Sequence, residues 1–262
     1  MASGVRSPSR ARLDAGTLRR DRWWVQPGIT MGVLLGFVVY ATWRAFEDAY
    51  YYADPYLSPV YSPCLATRCE DGAAHFGTPV GDWWGLSPAL IILVVPLSFR
   101  MTCYYYRKAY YRSFWLSPPA CAVAEPHRRY SGESRFPLIL QNYHRYGLFA
   151  SLLFNVILTW DALISFRSPD GGFGMGLGTL VLLVNAALLW VYSLSCHSCR
   201  HVVGGRLRSF SKHPMRYRMW TGVSKLNTRH PVYAWMSLVW VAFTDFYVRL
   251  VASGAITDLR FF

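Results

Sequence analysis

The sequence predicts an all-α membrane protein, a bundle of five transmembrane helices whose N-terminus lies in the cytoplasm. The chain has 262 residues, 53% of them hydrophobic, and its mean hydropathy is positive. Its apolar residues gather in five blocks, each close to the roughly 20 residues that a helix needs to cross a hydrocarbon core about 30 Å thick. Its basic residues are concentrated in alternate connecting segments, a distribution that the positive-inside rule associates with multi-pass proteins.

The five apolar blocks give the bounds of the predicted helices. These are residues 29–46, 86–103, 146–166, 177–196 and 232–251. The first helix is too long for a cleavable signal peptide. Pro96 is expected to kink the second helix, which should continue out of the membrane as a cytoplasmic extension after Thr102. The Gly-rich turn at residues 168–174 is short, so the third and fourth helices should be antiparallel neighbours. We expect residues 1–22 to form a flexible basic tail and residues 23–262 to form the membrane domain.

The net charge of +13 is distributed unevenly between the two sides of the predicted membrane. Residues 1–27, 104–145 and 196–231 contain six, seven and eight Lys or Arg, against two, two and no acidic residues. Residues 47–82 contain six acidic residues and one Arg. This pattern places the N-terminus and both basic loops in the cytoplasm and the C-terminus outside. We expect no nucleic-acid partner. The basic segments suit docking of a soluble protein, or they only set the topology.

The cysteines divide between the two sides in the same way. Cys64 and Cys69 lie in the outer loop, where thiols can oxidise, and we expect a disulfide between them. The other four fall at the inner edge or in the inner loops: Cys103, Cys121, Cys196 and Cys199. That side is reducing, so free thiols or metal thiolates are expected there.

The run Cys-His-Ser-Cys-Arg-His at residues 196–201 places two thiols and two imidazoles within six residues at the predicted membrane edge. Cys196 and Cys199 are three residues apart and share a helix face. Further ligands could come from His201, if the helix unwinds there, or from His144 and His230, which begin the adjacent helices at the same depth. We expect Cys196, Cys199, His144 and His230 to ligate one metal centre, with His201 as the alternative to either of the other histidines.

The ligand types leave several interpretations open. Two thiolates and two imidazoles are typical of structural zinc or of a Rieske-type [2Fe–2S] cluster. No histidine lies in the middle of a predicted helix, which excludes a bis-histidine haem near the outer face. A haem b near the inner face, between His144 and His230, remains possible, and the residues could also be unligated. We expect the mixed-ligand [2Fe–2S] cluster.

Two acidic residues lie within the predicted helices, Asp161 in the third and Asp245 in the fifth. Ionisable groups in a membrane are costly and face the bundle interior or water. They could form a proton route or a second quinone contact. They could also form structural ion pairs, Asp245 with Arg249 and Asp161 with Arg167.

Three blocks of sequence resemble the actinobacterial branch of the membrane anchors of succinate dehydrogenases and fumarate reductases. They are TCYYYRKAYYRSFWLSPPAC at residues 102–121, SCHSCRH at 195–201 and KLNTRH at 225–230. The resemblance extends over roughly residues 23–262. It implies a flavoprotein subunit that oxidises succinate, an iron–sulfur subunit that docks on the inner face, and a quinone site near that face. The mid-helix histidines that hold two haems in the five-helix anchors are missing here.

This resemblance predicts the membrane anchor and quinone-reducing electron-transfer subunit of a succinate:quinone oxidoreductase, respiratory complex II, in the lipid of the plasma membrane. The succinate-oxidising site would be on a partner subunit, and the quinone would be menaquinone or ubiquinone. Five candidates for quinone contacts lie at a suitable depth: Tyr105, Tyr106, Arg107, Tyr143 and Trp220. The alternatives are a haem-containing quinol dehydrogenase membrane subunit and a metal-stabilised membrane scaffold with no redox role.

Overall fold

The computed structural model describes residues 19–123, 126, 134–167 and 171–262. Most of the predicted tail (1–22) and part of the turn at residues 168–174 therefore lie outside the described residues. The helices are α1 (Val25–Glu47), α2 (Pro88–Ile92), α3 (Val94–Thr102), α4 (Tyr104–Phe114), α5 (His144–Ile164), α6 (Leu177–Leu194), α7 (His197–Gly204), α8 (Pro214–Asn227) and α9 (His230–Ala252). A 3-10 helix, Leu138–Tyr143, leads directly into α5.

Within the described ranges, four helices are long and apolar enough to cross a membrane: α1, α5 with its preceding 3-10 turn, α6 and α9. The α2–α3 segment and α4 pass the same test only together, as one broken span bent by 77°. The helical membrane architecture is therefore confirmed, and the predicted number of five is reached when the bent pair counts as one span.

The second predicted helix differs from its prediction, because it is neither continuous nor extended straight into the cytoplasm. Pro96 has no N–H to donate to the carbonyl of Ile92, and the helix is interrupted at Leu93, directly after Ile92. A second break follows at Cys103, whose ψ of 128° is that of extended backbone. The Tyr- and Arg-rich α4 consequently turns back and packs against α1.

Helices α5, α6 and α9 form the centre of the bundle. Half of the α6 span is buried within the chain, compared with 11% of the α1 span. Asn155 on α5 donates to the carbonyl of Leu189 (3.3 Å) and to the hydroxyl of Ser193 (3.0 Å) on α6. Interhelical hydrogen bonds of this kind hold helices together in lipid. Because α1 is the least buried span, the bundle leaves a cleft between α1 and the α3–α4 segment.

The segment between α1 and α2 folds into a compact cap. Two short antiparallel strands, β1 (Tyr52–Ala53) and β2 (Tyr56–Leu57), begin it. A disulfide joins Cys64 to Cys69, with their Cα atoms 6.0 Å apart. The fully buried rings of Tyr51 and Tyr61 stack with centroids 4.0 Å apart. This cap supplies hydrogen-bond partners to both membrane acids.

Both acids are buried, but their partners are not those suggested by the sequence. Asp245 binds Arg44 on α1 (2.8 Å), and both side chains are fully buried. Arg249 binds Glu47 instead (2.6 Å). Asp245 also accepts hydrogen bonds from the hydroxyls of Tyr40 and Ser58.

Asp161 makes the second tie between helix and cap. Its carboxylate contacts His75 Nδ1 at 2.9 Å and accepts a hydrogen bond from the hydroxyl of Ser62. The sequence suggested Arg167 because it is near in the chain. The actual partners come from the cap, and pairing between distant segments cannot be read from spacing.

Replacing Asp245 with Asn should destabilise the chain by about 3 kcal/mol, the lower end of the cost of breaking a buried ion pair, because the buried Arg44 would lose one of its two carboxylate partners and keep only Glu47. Equilibrium unfolding in detergent measures this loss. As a control, Arg68→Gln removes an exposed ion pair with Asp48 from the same cap and should cost less than about 1 kcal/mol. Equal losses for the two variants would contradict a dominant role for the Asp245 pair.

Candidate functional site

The ends of α3, α5, α6 and α9 that are predicted to be cytoplasmic enclose a layer of buried thiols, imidazoles and aromatic rings. His144 and His230 are 9% and 6% exposed. A single apolar cluster surrounds them, formed by Phe99, Cys103, Tyr106, Leu148, Tyr192, Cys196, Cys199, Ala234 and Leu238. These side chains meet because each helix begins or ends at the same depth, as the sequence predicted for the histidines.

The first half of this layer is a contact between His144 and Cys196, with Nε2 and Sγ 3.0 Å apart. On the other side of the ring, Nδ1 lies 2.9 Å from the hydroxyl of Thr102. That hydroxyl donates its single proton to the carbonyl of Ser98 (2.7 Å), so it accepts from Nδ1–H. The Nε2 lone pair of His144 therefore faces the Cys196 sulfur. Phe99 stacks on the imidazole with ring centroids 4.7 Å apart.

The second half repeats the arrangement with His230 and Cys103, whose Nε2 and Sγ atoms are 3.3 Å apart. The Nδ1 atom lies 2.8 Å from the hydroxyl of Ser195. This hydroxyl donates to the carbonyl of Tyr192 (2.9 Å), so again Nδ1 carries the proton and the Nε2 lone pair faces sulfur. The ring of Tyr192 stacks on His230 with centroids 5.2 Å apart.

The structure thus brings His144, His230 and Cys196 into one layer but pairs them differently from the prediction. In the part of the chain that the structure describes, no group of three or more His, Cys, Asp or Glu side chains could hold one metal ion. Cys199 is buried in the layer, whereas the exposed His201 faces His197, with their Nε2 atoms 2.9 Å apart.

Cys103 is the member that the sequence analysis did not include. The helix break at this residue turns its thiol toward His230, and the expectation of a continuous second helix concealed that break. Its depth was the available signal, because Cys103 ends the second predicted helix at the level where His144 and His230 begin theirs.

Burial sets the protonation state of the thiols beyond the end of α6. It raises the pKa of the Cys196 thiol to about 12, and it also raises the pKa of Cys199. Without a nearby positive charge these thiols stay protonated at neutral pH. A metal cation would reverse this, because coordination favours the thiolate.

Beside this layer lies a cleft between α1, the α2–α3 segment and α4, with a volume of about 970 Å³. Its walls are mainly apolar, and its size is that of a small-molecule site. The polar side chains at its wall include Arg100, Tyr106, Tyr110, Tyr111 and Gln141. An aromatic head group with an apolar tail would suit such a cleft.

Of the five predicted quinone contacts, only Tyr106 lines this cleft. Its hydroxyl donates to the carbonyl of Ala234 (2.6 Å) and accepts from Arg100 (2.8 Å). The hydroxyl of Tyr105 accepts from Trp235 Nε1 (2.8 Å). The other three lie elsewhere: Arg107 over the ring of Tyr104, Tyr143 exposed beside Tyr146, and Trp220 stacked on Phe210 and Tyr217.

Comparisons with known proteins show the family of this chain. The sequence matches one family model, described as the actinobacterial succinate dehydrogenase subunit SdhC, over residues 25–254. Among solved structures, the chain is similar to a chain of the Mycobacterium smegmatis Sdh1 complex in the apo form. The two are 58% identical in sequence, the TM-score is 0.90, and the match covers 100% of both chains. A comparison with curated proteins gave no match.

Thiol labelling tests the burial of the site. At pH 8, Cys121, which is exposed, should react rapidly with a maleimide in the native detergent-solubilised protein. Cys196 and Cys199 should not, because burial excludes the reagent and raises their pKa values. Peptide mass spectrometry after brief labelling measures the difference, and equal modification of Cys196 and Cys121 would refute the buried arrangement.

Proposed function

This chain belongs to the family of actinobacterial succinate dehydrogenase SdhC subunits, and from that premise we propose that it reduces quinone as the electron-transfer subunit of a succinate:quinone oxidoreductase. It is a membrane subunit of the bacterial plasma membrane. A flavoprotein subunit with the succinate-oxidising site and an iron–sulfur subunit are its partners. The observation that carries the proposal is the pair of buried His–Cys contacts beside a cleft of quinone size.

The donor set fits a [2Fe–2S] cluster of mixed ligation, held by Cys103, Cys196, His144 and His230. Two thiols and two imidazoles are the donor types of a Rieske-type centre. They stand as two mixed pairs, His144 with Cys196 and His230 with Cys103. A Rieske-type centre takes both imidazoles on one iron and both thiolates on the other, so these side chains would have to exchange partners when the cluster binds. A structural zinc site needs four donors around one ion, and the described side chains do not gather in that way.

The same geometry argues against haem between His144 and His230. Both Nε2 atoms face sulfur, at 3.0 and 3.3 Å. The space between the imidazoles is occupied by Phe99 and Tyr192, whose ring centroids are 5.5 Å apart. A porphyrin would have to displace both rings, whereas a [2Fe–2S] cluster is much narrower and would need a smaller shift of them.

The chain's own residues prepare the donors. Thr102 and Ser195 hold the two Nδ1 protons, so each histidine keeps its Nε2 lone pair directed into the layer, as ligand-orienting hydrogen bonds do in metal sites. Phe99 and Tyr192 cover the imidazoles and exclude water. When bound, such a cluster supplies one-electron transfer at a potential that imidazole ligation raises relative to all-thiolate clusters.

Quinone would occupy the cleft next to this layer. Tyr106 lines the cleft and also belongs to the apolar cluster that contains Cys103 and Cys196, so donor set and cleft share a wall. The apolar surfaces of α1 and α3 suit an isoprenoid tail. Menaquinone and ubiquinone both meet these requirements.

The basic segment after α6 would form part of the docking surface for the iron–sulfur subunit. Residues 196–231 contain eight Lys or Arg and no acidic residue. Helix α8 has no buried residue, and Arg206, Arg208 and Lys212 are exposed. A surface this uniformly basic attracts an acidic partner and steers its approach.

Cluster content tests the donor assignment. Cys103→Ser and Cys196→Ser should each abolish the electron paramagnetic resonance (EPR) signal of the cluster and lower iron and sulfide content, and quinone reduction should be lost with them. Cys199→Ser should retain the signal, because Cys199 contacts neither histidine, and Cys121→Ser is the matched control. Thr102→Val should weaken metal retention by about 10–100-fold. Zinc in place of iron would contradict the redox role, and haem in the purified complex would contradict the donor assignment.

Charge reversal tests the docking surface. Replacing Arg206, Arg208 and Lys212 together with Glu should reduce recovery of the intact complex. The deficit of the triple variant relative to wild type should be largest at about 0.05 M salt and shrink toward 0.3 M, since exposed charges are screened beyond about 10 Å at 0.1 M. Size-exclusion chromatography of the detergent-solubilised complex measures this. Recovery equal to wild type at every ionic strength would leave these residues as topology determinants only.

A further inference from the structure

Arg100, on α3, is a buried cation held entirely by neutral groups. It is 9% exposed. Nη1 donates to the hydroxyl of Tyr106 (2.8 Å) and to the carbonyl of Ala234 (3.5 Å), and Nη2 donates to the hydroxyl of Ser237 (3.1 Å). The guanidinium carbon lies 4.7 Å from the ring centroid of Tyr192. None of these partners carries a negative charge.

The other buried charges of the chain are compensated. Arg44 pairs with Asp245 and Glu47, and the carboxylate of Asp161 lies 2.9 Å from Nδ1 of His75. Over the described ranges Arg100 forms no ion pair at all. An arginine cannot shed its proton inside a protein, so this charge persists and favours an anion beside it.

Two cavities meet at Arg100, and it is the sole charged side chain in the described lining of either one. The first is the cleft of about 970 Å³. The second is a small cavity of about 80 Å³, where the hydroxyl of the buried Tyr192 has no hydrogen-bond partner. The small cavity has room for a few water molecules only, whereas the cleft can hold a quinone ring.

Three other polar side chains of the cleft wall satisfy one another. Tyr111 donates to Gln141 Oε1 (3.0 Å), Gln141 Nε2 donates to the hydroxyl of Tyr110 (2.8 Å), and that hydroxyl donates to the carbonyl of Met101 (3.2 Å). This neutral network offers no charge to a ligand. Arg100 precedes Cys103, a member of the donor set, by three residues.

We infer that Arg100 donates a hydrogen bond to one carbonyl oxygen of the bound quinone and stabilises the negative charge that this oxygen gains on reduction. The inference rests on the proposed function and deepens it by placing the head group at Arg100. Two electrons from the iron–sulfur partner and two protons from solvent convert the two C=O groups of the quinone into two hydroxyls. Arg100 keeps its own protons throughout.

The test uses the whole complex, with menadione and duroquinone as acceptors and rates normalised to succinate-driven dye reduction in the same sample. Arg100→Gln should lower kcat/KM for both quinones by about 100-fold, the upper range for losing a hydrogen bond to a charged group. Arg100→Lys keeps the charge and should raise KM by about tenfold while retaining most of kcat. Ser237→Ala removes a contact of Arg100 outside both cavities and should stay within about fivefold of wild type.

A readout besides turnover is the semiquinone radical, observed by EPR during redox titration with menadione. Arg100→Gln should diminish this radical and Ser237→Ala should not. An unchanged KM in Arg100→Lys, or a semiquinone signal in Arg100→Gln equal to that of wild type, would overturn the Arg100 assignment. The proposed function would still stand if the wild-type complex reduced quinone. A wild-type complex that reduces the dye but neither quinone would overturn both. If the complex with Arg100→Gln does not assemble, the KM of Arg100→Lys tests the Arg100 assignment instead.

Discussion

The buried arginine, aspartate and histidine side chains that the structure describes in the bundle find partners on other segments, and those contacts determine how the helices meet. Lipid offers no hydrogen bonds, so an unpaired polar group would be costly. At the end predicted to be outside, Asp245 on α9 holds α1 through Arg44, and Asp161 on α5 holds the cap through His75. At the opposite end, His144 and His230 hold thiols of α6 and of the α3–α4 junction. Carboxylates thus organise one end of the bundle and imidazole–thiol pairs the other.

The two ends have different chemical capacities. The outer carboxylates are occupied by Arg44, His75 and hydroxyl partners from α1 and the cap. At the inner end, the hydroxyls of Thr102 and Ser195 occupy the Nδ1 protons and leave the Nε2 lone pairs directed at sulfur. Neutral imidazoles and thiols prepared in this way favour a metal group, whose positive charge converts buried thiols into thiolates. The adjoining cleft contains one charge, that of Arg100, among its described lining residues. Under the proposed function, donor set, cation and cleft form one continuous site.

Much of this architecture could be predicted from local sequence. Apolar length located the spans to within a few residues of their observed bounds, and depth along the helices located His144, His230 and Cys196. The features that depend on contacts between distant segments could not be predicted in this way. The break at Cys103 reorients α4 and brings an additional thiol to His230. The only local sequence feature that predicts a disrupted helix there is Pro96, two turns earlier. Arg44 and Arg100 gave no pattern in the sequence, because their importance lies in which helices they face. The quinone contacts were the least predictable, since a cleft is a property of packing.

The most direct test of the central claim is pulsed EPR of the dithionite-reduced complex, which detects nitrogen atoms bonded to a paramagnetic iron–sulfur centre. Strong coupling to two inequivalent nitrogens is predicted, one from each of His144 and His230, and each should disappear in the corresponding His→Cys or His→Ala variant. A reduced complex whose clusters all lack strong nitrogen coupling, or whose membrane subunit contains zinc instead of iron, would contradict the account.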